Sequence, residues 1–220
     1  MDQTESKVSG GKIVRYVVCI LLCFLSILPF YILIINSTLK STEIVTGIKL
    51  IPGGEFITNF KGLLAGSEKT SGVNVLQAML NSLLVTVPAT ALQIYFGSLT
   101  AYAVTVYNFK LKNAAHTFIM AIMMIPAQVS IIGFMQFMMK INLYDSYWPL
   151  IIPAAASPAT YYFMKQYMAT GLSLEIIEAA RIDGSGEIST FNKIALPLMK
   201  PAMATQAIFA FITSWNNLYT

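Results

Sequence analysis

The stretch EAARIDGSGEISTFNKIALP, residues 178–197, is a charged insert in an otherwise apolar part of the chain. Charged residues make up 11% of the 220 residues, yet five of them fall here. They are Glu178, Arg181, Asp183, Glu187 and Lys193. Long uncharged apolar runs lie on both sides. The sequence therefore sets a polar, helix-forming insert between two segments that favour a membrane.

The composition is that of an integral membrane protein. Hydrophobic residues make up 56% of the chain and the mean hydropathy is +0.66. Soluble domains usually carry about 25% charged residues, roughly twice the share found here. The net charge of +4 comes from scattered basic residues, which fit determinants of membrane topology better than a nucleic-acid site.

Apolar runs long enough to cross a bilayer define the predicted organisation. A span needs about 20 apolar residues in a helix. Five runs qualify: 16–35, 74–109, 113–139, 146–164 and 201–220. The sequence thus predicts an all-α polytopic helical bundle. Its segments are an N-terminus (1–15), a first span (16–35), a loop (36–73) and a transmembrane domain (74–220).

Basic residues orient the bundle. With the N-terminus in the cytoplasm, cytoplasmic segments carry nine Lys and Arg residues and outer segments carry five. This bias favours a cytoplasmic N-terminus. It also places the loop 36–73 outside and the insert, within residues 165–200, in the cytoplasm.

The apolar runs contain almost nothing that titrates. Runs two to five hold no Asp, Glu, Lys or Arg, and His116 is predicted to lie at the membrane interface. Ionisable groups inside a membrane usually mark ion or proton pathways, so a proton-coupled carrier is disfavoured. An intramembrane protease is disfavoured as well, because H-E-x-x-H is absent.

Prolines predict interruptions of the spans. Pro149 suits the start of a helix, whereas Pro153 and Pro158 would kink or break the fourth run. Pro88 and Pro126 are two further candidate kinks. Broken helices that line a cavity are common in transporters.

The insert itself predicts two short helices joined by a glycine-rich turn. Ser173 can cap a helix that starts at Leu174, and Gly184 is a natural stop with positive φ. Ser185 can cap the second helix, which Pro197 limits. Apolar residues repeat at helical spacing in both helices.

The charges of the insert suggest local roles. Glu178 and Arg181 can pair at i, i+3. Asp183 would oppose the dipole of the first helix, so it is expected to accept hydrogen bonds from N–H groups of the turn. A helix on the bilayer surface should be rich in Lys and Arg, but this insert has as many acids as bases. A helix that lies in a groove of a partner protein fits better.

The insert resembles the EAA loop of ABC importer permeases. The resemblance rests on Glu178-Ala179-Ala180, on Asp183-Gly184, and on Ile194-x-Leu196-Pro197. In that family the loop (here 172–200) is a coupling helix that docks into a cleft on a cytoplasmic ATPase subunit. The resemblance implies that the coupling residues are Glu178, Ala179, Ala180, Asp183, Gly184, Ile194, Leu196 and Pro197.

Further motifs are similar to the carbohydrate-uptake (MalG-type) branch of this family. They are Asn81-Ser82-Leu83, Ala101-Tyr102-Ala103, Ile125-Pro126 and Ser214-Trp215-Asn216. The resemblance implies a multi-pass permease of the bacterial inner membrane, without enzymatic activity of its own. The family has one further span, so a sixth span is expected beyond Thr220.

The resemblance also implies a set of partners. They are a second permease subunit, a dimer of cytoplasmic ATPase subunits, an extracytoplasmic solute-binding protein and membrane lipid, with no nucleic acid. The chain lacks the G-x-x-x-x-G-K-[ST] motif, so no cofactor is expected on it, and ATP with Mg would bind to the ATPase.

A sugar pathway requires uncharged hydrogen-bonding groups and aromatic faces. Candidates in the apolar runs are Gln128, Tyr161, Tyr162, Trp215 and Asn216. Each also has a simpler interpretation as an interface anchor or an interhelical hydrogen-bonding group. Two other functions remain open: an ABC permease for an amino acid or peptide, and a secondary carrier or membrane scaffold without an ATPase.

Overall fold

The computed structural model describes residues 10–65 and 74–217, except for the side chains of Ala127 and Gln128. Outside this description lie residues 1–9 of the predicted N-terminus, residues 66–73 of the predicted loop, and residues 218–220. Within the described ranges every regular element is a helix, which confirms the predicted all-α class.

Six helices make up the first two thirds of the chain. They are α1 (Gly10–Ser37), α2 (Ser41–Val45), α3 (Phe56–Leu64), α4 (Val75–Val106), α5 (Lys112–Met123) and α6 (Ala127–Lys140). Shorter helical segments then alternate with two longer helices. They are α7 (Trp148–Ile151), a 3₁₀ turn (Ile152–Ala155), α8 (Pro158–Gly171), α9 (Leu174–Ile182), α10 (Glu187–Thr190), a π-helical segment (Phe191–Ala195), α11 (Leu196–Leu198) and α12 (Lys200–Trp215).

The continuous helices are fewer than the five predicted spans. Among the described residues, α1 and α4 are long and apolar enough to cross a membrane. The pair Glu187–Leu198 and Lys200–Trp215, bent by 81°, adds a third if it counts as one span. The third and fourth predicted runs are apolar but broken.

Prolines account for these breaks. In the third run, α5 ends at Met123 and α6 begins at Ala127, directly after Pro126. A proline removes an N–H donor and disfavours the helical conformation of the residue before it. In contrast, α4 continues through Pro88.

The fourth run is divided as its prolines predict. Pro149 lies in the first turn of α7, Pro153 lies in the 3₁₀ turn, and Pro158 is the first residue of α8. The side chain of Ser157 caps α8 by accepting the N–H of Thr160 at 3.3 Å. Non-helical backbone thus falls inside an apolar run, which membranes tolerate where it lines protein or a cavity.

The chain divides into two compact units, Met1–Ala78 and Met79–Thr220. In the first unit, Ile35 is the single buried residue of α1. The segment after α1 folds back on the end of that helix. The amide of Asn59 donates to the carbonyls of Ser37 (3.0 Å) and Leu39 (2.9 Å), and the N–H of Gly53 donates to Thr38 Oγ1 (2.8 Å).

The core of the second unit forms where α4, α8, α9 and the π-helical segment meet. Phe191 of the π-helical segment is fully buried, with its ring 5.7 Å from Tyr95 and 5.3 Å from Tyr102 of α4. Gly97 allows α4 to approach α8 closely, because a Cβ there would lie 2.7 Å from Thr160 Cγ2. Because Ile177 and Phe191 are fully buried in this core, residues 174–198 are packed against the other helices of the second unit.

Candidate functional site

The first candidate site is a helical elbow, defined here as α9, the turn 183–186 and the helical stretch Glu187–Leu198. Its first helix starts at Leu174, as predicted, with Ser173 at the N-cap position. The Ser173 side chain makes no capping hydrogen bond, so that part of the prediction is wrong. Glu175 lies in the first turn, where a carboxylate is favourable.

The turn of the elbow depends on Gly184, whose φ is +79°. Its N–H donates to the carbonyl of Arg181 (3.0 Å), and the N–H of Ser185 donates to the carbonyl of Ala180 (2.9 Å). This pair of bonds is the Schellman pattern that ends many helices at a glycine. Since these two N–H groups bond to carbonyls, the expectation that they donate to Asp183 is wrong.

The second helix of the elbow starts later than predicted. Gly186, not Ser185, is the N-cap residue, and α10 begins at Glu187. The hydroxyl of Ser185 instead accepts a hydrogen bond from Thr190 Oγ1 at 2.9 Å. This hydrogen bond connects the turn to the second helix of the elbow.

An ion pair closes the elbow. Arg181 Nε and Nη2 donate to Glu187 Oε1 and Oε2 at 3.0 and 3.1 Å. Two parallel hydrogen bonds of this kind are typical of arginine–carboxylate pairs. The predicted partner of Arg181 was Glu178, and this prediction is wrong. The turn at Gly184 brings the start of α10 to the end of α9, so the carboxylate of Glu187 accepts both hydrogen bonds from Arg181.

Tyr107 connects this ion pair to the end of α4. Its hydroxyl donates a hydrogen bond to Glu187, and the Arg181 guanidinium lies 5.1 Å from the centre of its ring. The hydrogen bond from Tyr107, and then that from Arg181, hold the pKa of Glu187 below its ordinary value. The three side chains together fix the elbow to α4.

The apolar residues of the elbow point in two directions. Ile177, Ala180, Phe191 and Ala195 are buried in the core. Ala180, expected to face a partner, therefore faces its own chain. Other aliphatic side chains remain exposed, in particular Ile182 (87%) and Ile188 (73%), on the two sides of the turn.

The remaining predicted coupling residues lie on or near the surface. Ile194 and Leu196 are half-buried. The exposed ones are Glu178, Ala179, Asp183, Gly184 and Pro197. The sequence analysis assigned no coupling role to Ile182, Ile188, Glu187 or Tyr107. For Ile182 a signal was present, because it follows Ile177 by five residues and therefore lies on a different face of α9.

The second candidate site is a cavity of about 650 Å³ between α4, α6, α12 and the proline-broken segment around α7. Every described residue of its lining is uncharged. The polar ones are Gln93, Tyr144, Ser146, Thr213, Ser214 and Asn217. Gln93 donates its amide N–H to Thr160 Oγ1 at 2.8 Å, which leaves the amide carbonyl as an acceptor. Pro149 and Pro153 line the cavity, as expected of broken helices.

The four predicted pathway residues whose side chains the structure describes lie outside the lining of this cavity. Tyr161 is buried in the core, and its hydroxyl lies 2.9 Å from His116 Nδ1. Trp215 stacks on Phe211 with ring centres 5.7 Å apart, and Asn216 is the C-cap of α12. Tyr162 is partly exposed, and the side chain of Gln128 lies outside the described residues. Within the described residues, no cluster of His, Cys, Asp or Glu could hold a metal ion.

Comparison with known proteins identifies the family. Residues 93–220, more than half of the chain, match the family described as the inner membrane component of binding-protein-dependent transport systems. The chain belongs to this family. The match includes the whole elbow and nearly all of the cavity, so both sites lie in the part that the family shares. The predicted resemblance to importer permeases is confirmed.

Curated relatives share most of the chain. The arabinooligosaccharides transport system permease protein AraQ of Halalkalibacterium halodurans is 35% identical over 199 residues, covering 89% of this chain and 69% of the relative. The sn-glycerol-3-phosphate transport system permease protein UgpE of Yersinia enterocolitica is 30% identical over 209 residues, covering 94% and 74%.

A solved structure has the same fold. It is a bacterial ABC transporter involved in the import of the acidic polysaccharide alginate. The TM-score is 0.79 at 20% identity, and the match covers 99% of this chain and 75% of that chain. At 20% identity the similarity establishes the fold but does not identify the solute.

Proposed function

We propose that the chain is a permease subunit of an ATP-driven, binding-protein-dependent importer whose solute is a neutral sugar or oligosaccharide. The observation that carries the choice of solute is the uncharged cavity beside the proline breaks. Its lining combines amide and hydroxyl groups with the rings of Phe134 and Tyr144. Sugars present hydroxyl groups and apolar ring faces, and such a lining complements both.

The charge of the lining favours a neutral solute over an anionic one. Relatives are named for arabinooligosaccharides and for sn-glycerol-3-phosphate, so both kinds occur among permeases similar to this chain. Placing a phosphate in a cavity of low polarity is costly unless a cation compensates its charge. No Lys or Arg lines the described cavity, whereas a neutral saccharide requires none.

The elbow is the proposed contact with the ATPase. Ile182 and Ile188 offer exposed apolar side chains on both sides of the turn, and Glu178 and Asp183 are exposed acids close to them. An apolar anchor surrounded by charged residues is typical of a protein interface. The cluster of Arg181, Glu187 and Tyr107 would transmit a movement of the elbow to α4.

The other subunits complete the proposed assembly. A second permease subunit would form the rest of the pathway, and an extracytoplasmic solute-binding protein would deliver the solute. ATP and Mg²⁺ would be bound by the cytoplasmic ATPase dimer. Membership of the binding-protein-dependent family disfavours the alternative of a carrier that works without an ATPase.

Uptake by the reconstituted assembly tests the choice of solute. Proteoliposomes with ATP inside and binding protein outside are supplied with a labelled arabino-oligosaccharide or with labelled sn-glycerol 3-phosphate. We expect ATP-dependent uptake of the saccharide and little uptake of the phosphate. Uptake of the phosphate alone would show that the solute is anionic and that the cavity was misinterpreted.

Charge substitutions at the exposed isoleucines test the docking surface. We expect Ile182→Glu and Ile188→Glu to abolish co-purification of the ATPase subunit while the permease remains in the membrane. Leu111→Glu is a matched control. Leu111 is an exposed aliphatic residue that is also predicted to lie on the cytoplasmic side of the membrane, but it is outside the elbow. If both isoleucine variants retain the ATPase as well as the control does, the elbow is not the docking surface.

A further inference from the structure

The segment that starts at Val45, the last residue of α2, exposes an unusual concentration of aliphatic side chains. Within residues 45–51, Val45 is 87% exposed, Ile48 is 76% exposed and Ile51 is 79% exposed, and Leu50 is exposed as well. Scattered apolar residues are normal on a protein surface, but a contiguous group marks a surface that another phase or partner covers. Neither the coupling role nor the solute pathway uses this segment.

A hydrogen bond fixes the position of this segment beside α1. The hydroxyl of Tyr31 donates to the carbonyl of Leu50 at 2.7 Å. Tyr31 lies six residues before Ser37, the last residue of α1, which is about 9 Å back along the helix at 1.5 Å per residue. The segment therefore folds back along α1 instead of extending away from its end.

The surface of α1 next to the segment is also apolar and exposed. Phe30, Leu33 and Ile34 are exposed on the same last turns of the helix, and α1 is long and apolar enough to cross a membrane. The aliphatic side chains of residues 45–51 thus extend a surface that lipid covers. This continuity favours lipid over a protein partner as the occupant.

The charges around the segment are compatible with a membrane interface. Lys49 Nζ lies 3.1 Å from Glu43 Oε1, so the lysine within the segment is neutralised by an acid just before it. The N–H of Lys40 also donates to Glu43 Oε2 at 3.1 Å. Lysine stems and tyrosine rings commonly lie at the interface, with their polar ends in the headgroup layer.

The backbone limits the depth of the segment. Residues 47–50 form no helix, and backbone groups without partners are not tolerated in the hydrocarbon core. Tyr31 satisfies the carbonyl of Leu50, and water or headgroups can satisfy the others only near the boundary. We propose that residues 45–51 are an interfacial anchor that inserts its aliphatic side chains at the boundary between headgroups and acyl chains, beside the end of α1.

Spin labels on single cysteines test this proposal. The assembled permease complex, with Cys19 and Cys23 replaced by Ser, is placed in nanodiscs of phosphatidylethanolamine and phosphatidylglycerol. Nitroxides are attached at Val45→Cys, Ile48→Cys and Ile51→Cys. Matched positions are Phe24→Cys, exposed in the middle of α1, and Lys61→Cys, a charged exposed residue of α3. Collision rates are measured with oxygen, which concentrates in lipid, and with a water-soluble nickel chelate.

We expect the ratio of oxygen to nickel collisions at residues 45, 48 and 51 to be several-fold higher than at residue 61 and lower than at residue 24. A ratio equal to that at residue 61 would show that the segment lies in water and would overturn the proposal. Low collision rates with both reagents would show that a protein partner covers the segment, which would overturn it as well.

Discussion

Arg181, in the last turn of α9, and Glu187, the first residue of α10, form a two-point ion pair across the turn at Gly184. The pair links the two helices of the elbow. Tyr107 adds a hydrogen bond to the same carboxylate from the end of α4. These contacts connect the elbow to the end of α4, the longest of the described helices.

Removing the charge of Glu187 should weaken this connection. We expect Glu187→Gln to lower the amount of solute transported per ATP by about two- to fivefold, a modest loss because exposed ion pairs are weak. Uptake and hydrolysis are measured together in proteoliposomes. Glu175→Gln, an exposed acid in the first turn of α9, is the matched control and should retain wild-type coupling.

Exchanging the two charges distinguishes the ion pair from a role of either residue alone. The double variant Arg181→Glu with Glu187→Arg should recover part of the coupling that each single variant loses. If the double variant is as impaired as the sum of the singles, the pair does not act as a unit.

The pH dependence of the elbow follows from the lowered pKa of Glu187. A carboxyl whose folded pKa is depressed contributes stability above its ordinary value of 4.5, and this contribution is lost as the pH falls through the lowered value. A spin label at residue 188 should therefore be more mobile in Glu187→Gln than in wild type across the neutral range. The difference should disappear only in acid below about pH 4.5. A difference that changes between about pH 6 and 8 would identify another titrating group.

The positive φ of Gly184 makes a pair of glycine substitutions informative. Gly184→Ala forces a Cβ into a left-handed conformation, which costs about 1 kcal/mol or more. Gly186 has φ −68° and open space around it, so Gly186→Ala introduces no such strain, and its cost is limited to the exchange of glycine for the less favourable alanine at the N-cap of α10. We expect Gly184→Ala to lower the melting temperature of the purified permease and its solute-stimulated ATP hydrolysis more than Gly186→Ala does. Equal effects of both substitutions would contradict a special role of the turn.

The sequence predicted where helices start and end better than it predicted the contacts between them. The start at Leu174, the stop at Gly184 and the breaks at Pro126 and Pro158 depend on local backbone chemistry, which a sequence displays directly. The partner of Arg181 depends on how the turn brings two helices together. The i, i+3 rule considers one helix and could not identify Glu187.

Tyr161 shows a second limit of sequence reasoning. An aromatic residue with a hydroxyl in an apolar run suits a sugar pathway and an interhelical contact equally well. The structure buries Tyr161 against Met164 and Met168 and brings its hydroxyl to His116, 45 positions earlier in the chain. Whether Tyr161 faces a pathway or another helix depends on long-range packing, which a local sequence pattern does not reveal.

The close approach of α4 and α8 at Gly97 should be sensitive to a single methyl group. In Gly97→Ala the new Cβ would lie 2.7 Å from Thr160 Cγ2, so one helix must shift, at a cost of about 1–3 kcal/mol. Gly133→Ala on α6 is the control, because nothing lies within 4 Å of its Cβ position. Thermal unfolding should show a loss for residue 97 alone. Adding Thr160→Ser, which removes Cγ2 but keeps the hydroxyl bonded to Gln93, should restore part of that loss.

Filling the cavity should block transport without disturbing the fold. Ala154 lies on the 3₁₀ turn and lines the cavity, whose volume of about 650 Å³ can accept an indole ring without overpacking. We expect Ala154→Trp to reduce saccharide uptake more than about tenfold, an effect equivalent to about 1.4 kcal/mol or more in the rate-limiting step. Membrane abundance and co-purification of the ATPase should not change, because the elbow is untouched.

The control is Ala156→Trp, two residues further on, where the side chain is exposed and lies outside the cavity. A graded series at residue 154 (Ser, Val, Trp) distinguishes blockage of the cavity from destabilisation of the fold. Uptake should fall with side-chain volume while the melting temperature stays constant. If Ala154→Trp and Ala156→Trp transport equally well, the solute does not pass through this cavity, and the argument for a neutral solute loses its basis.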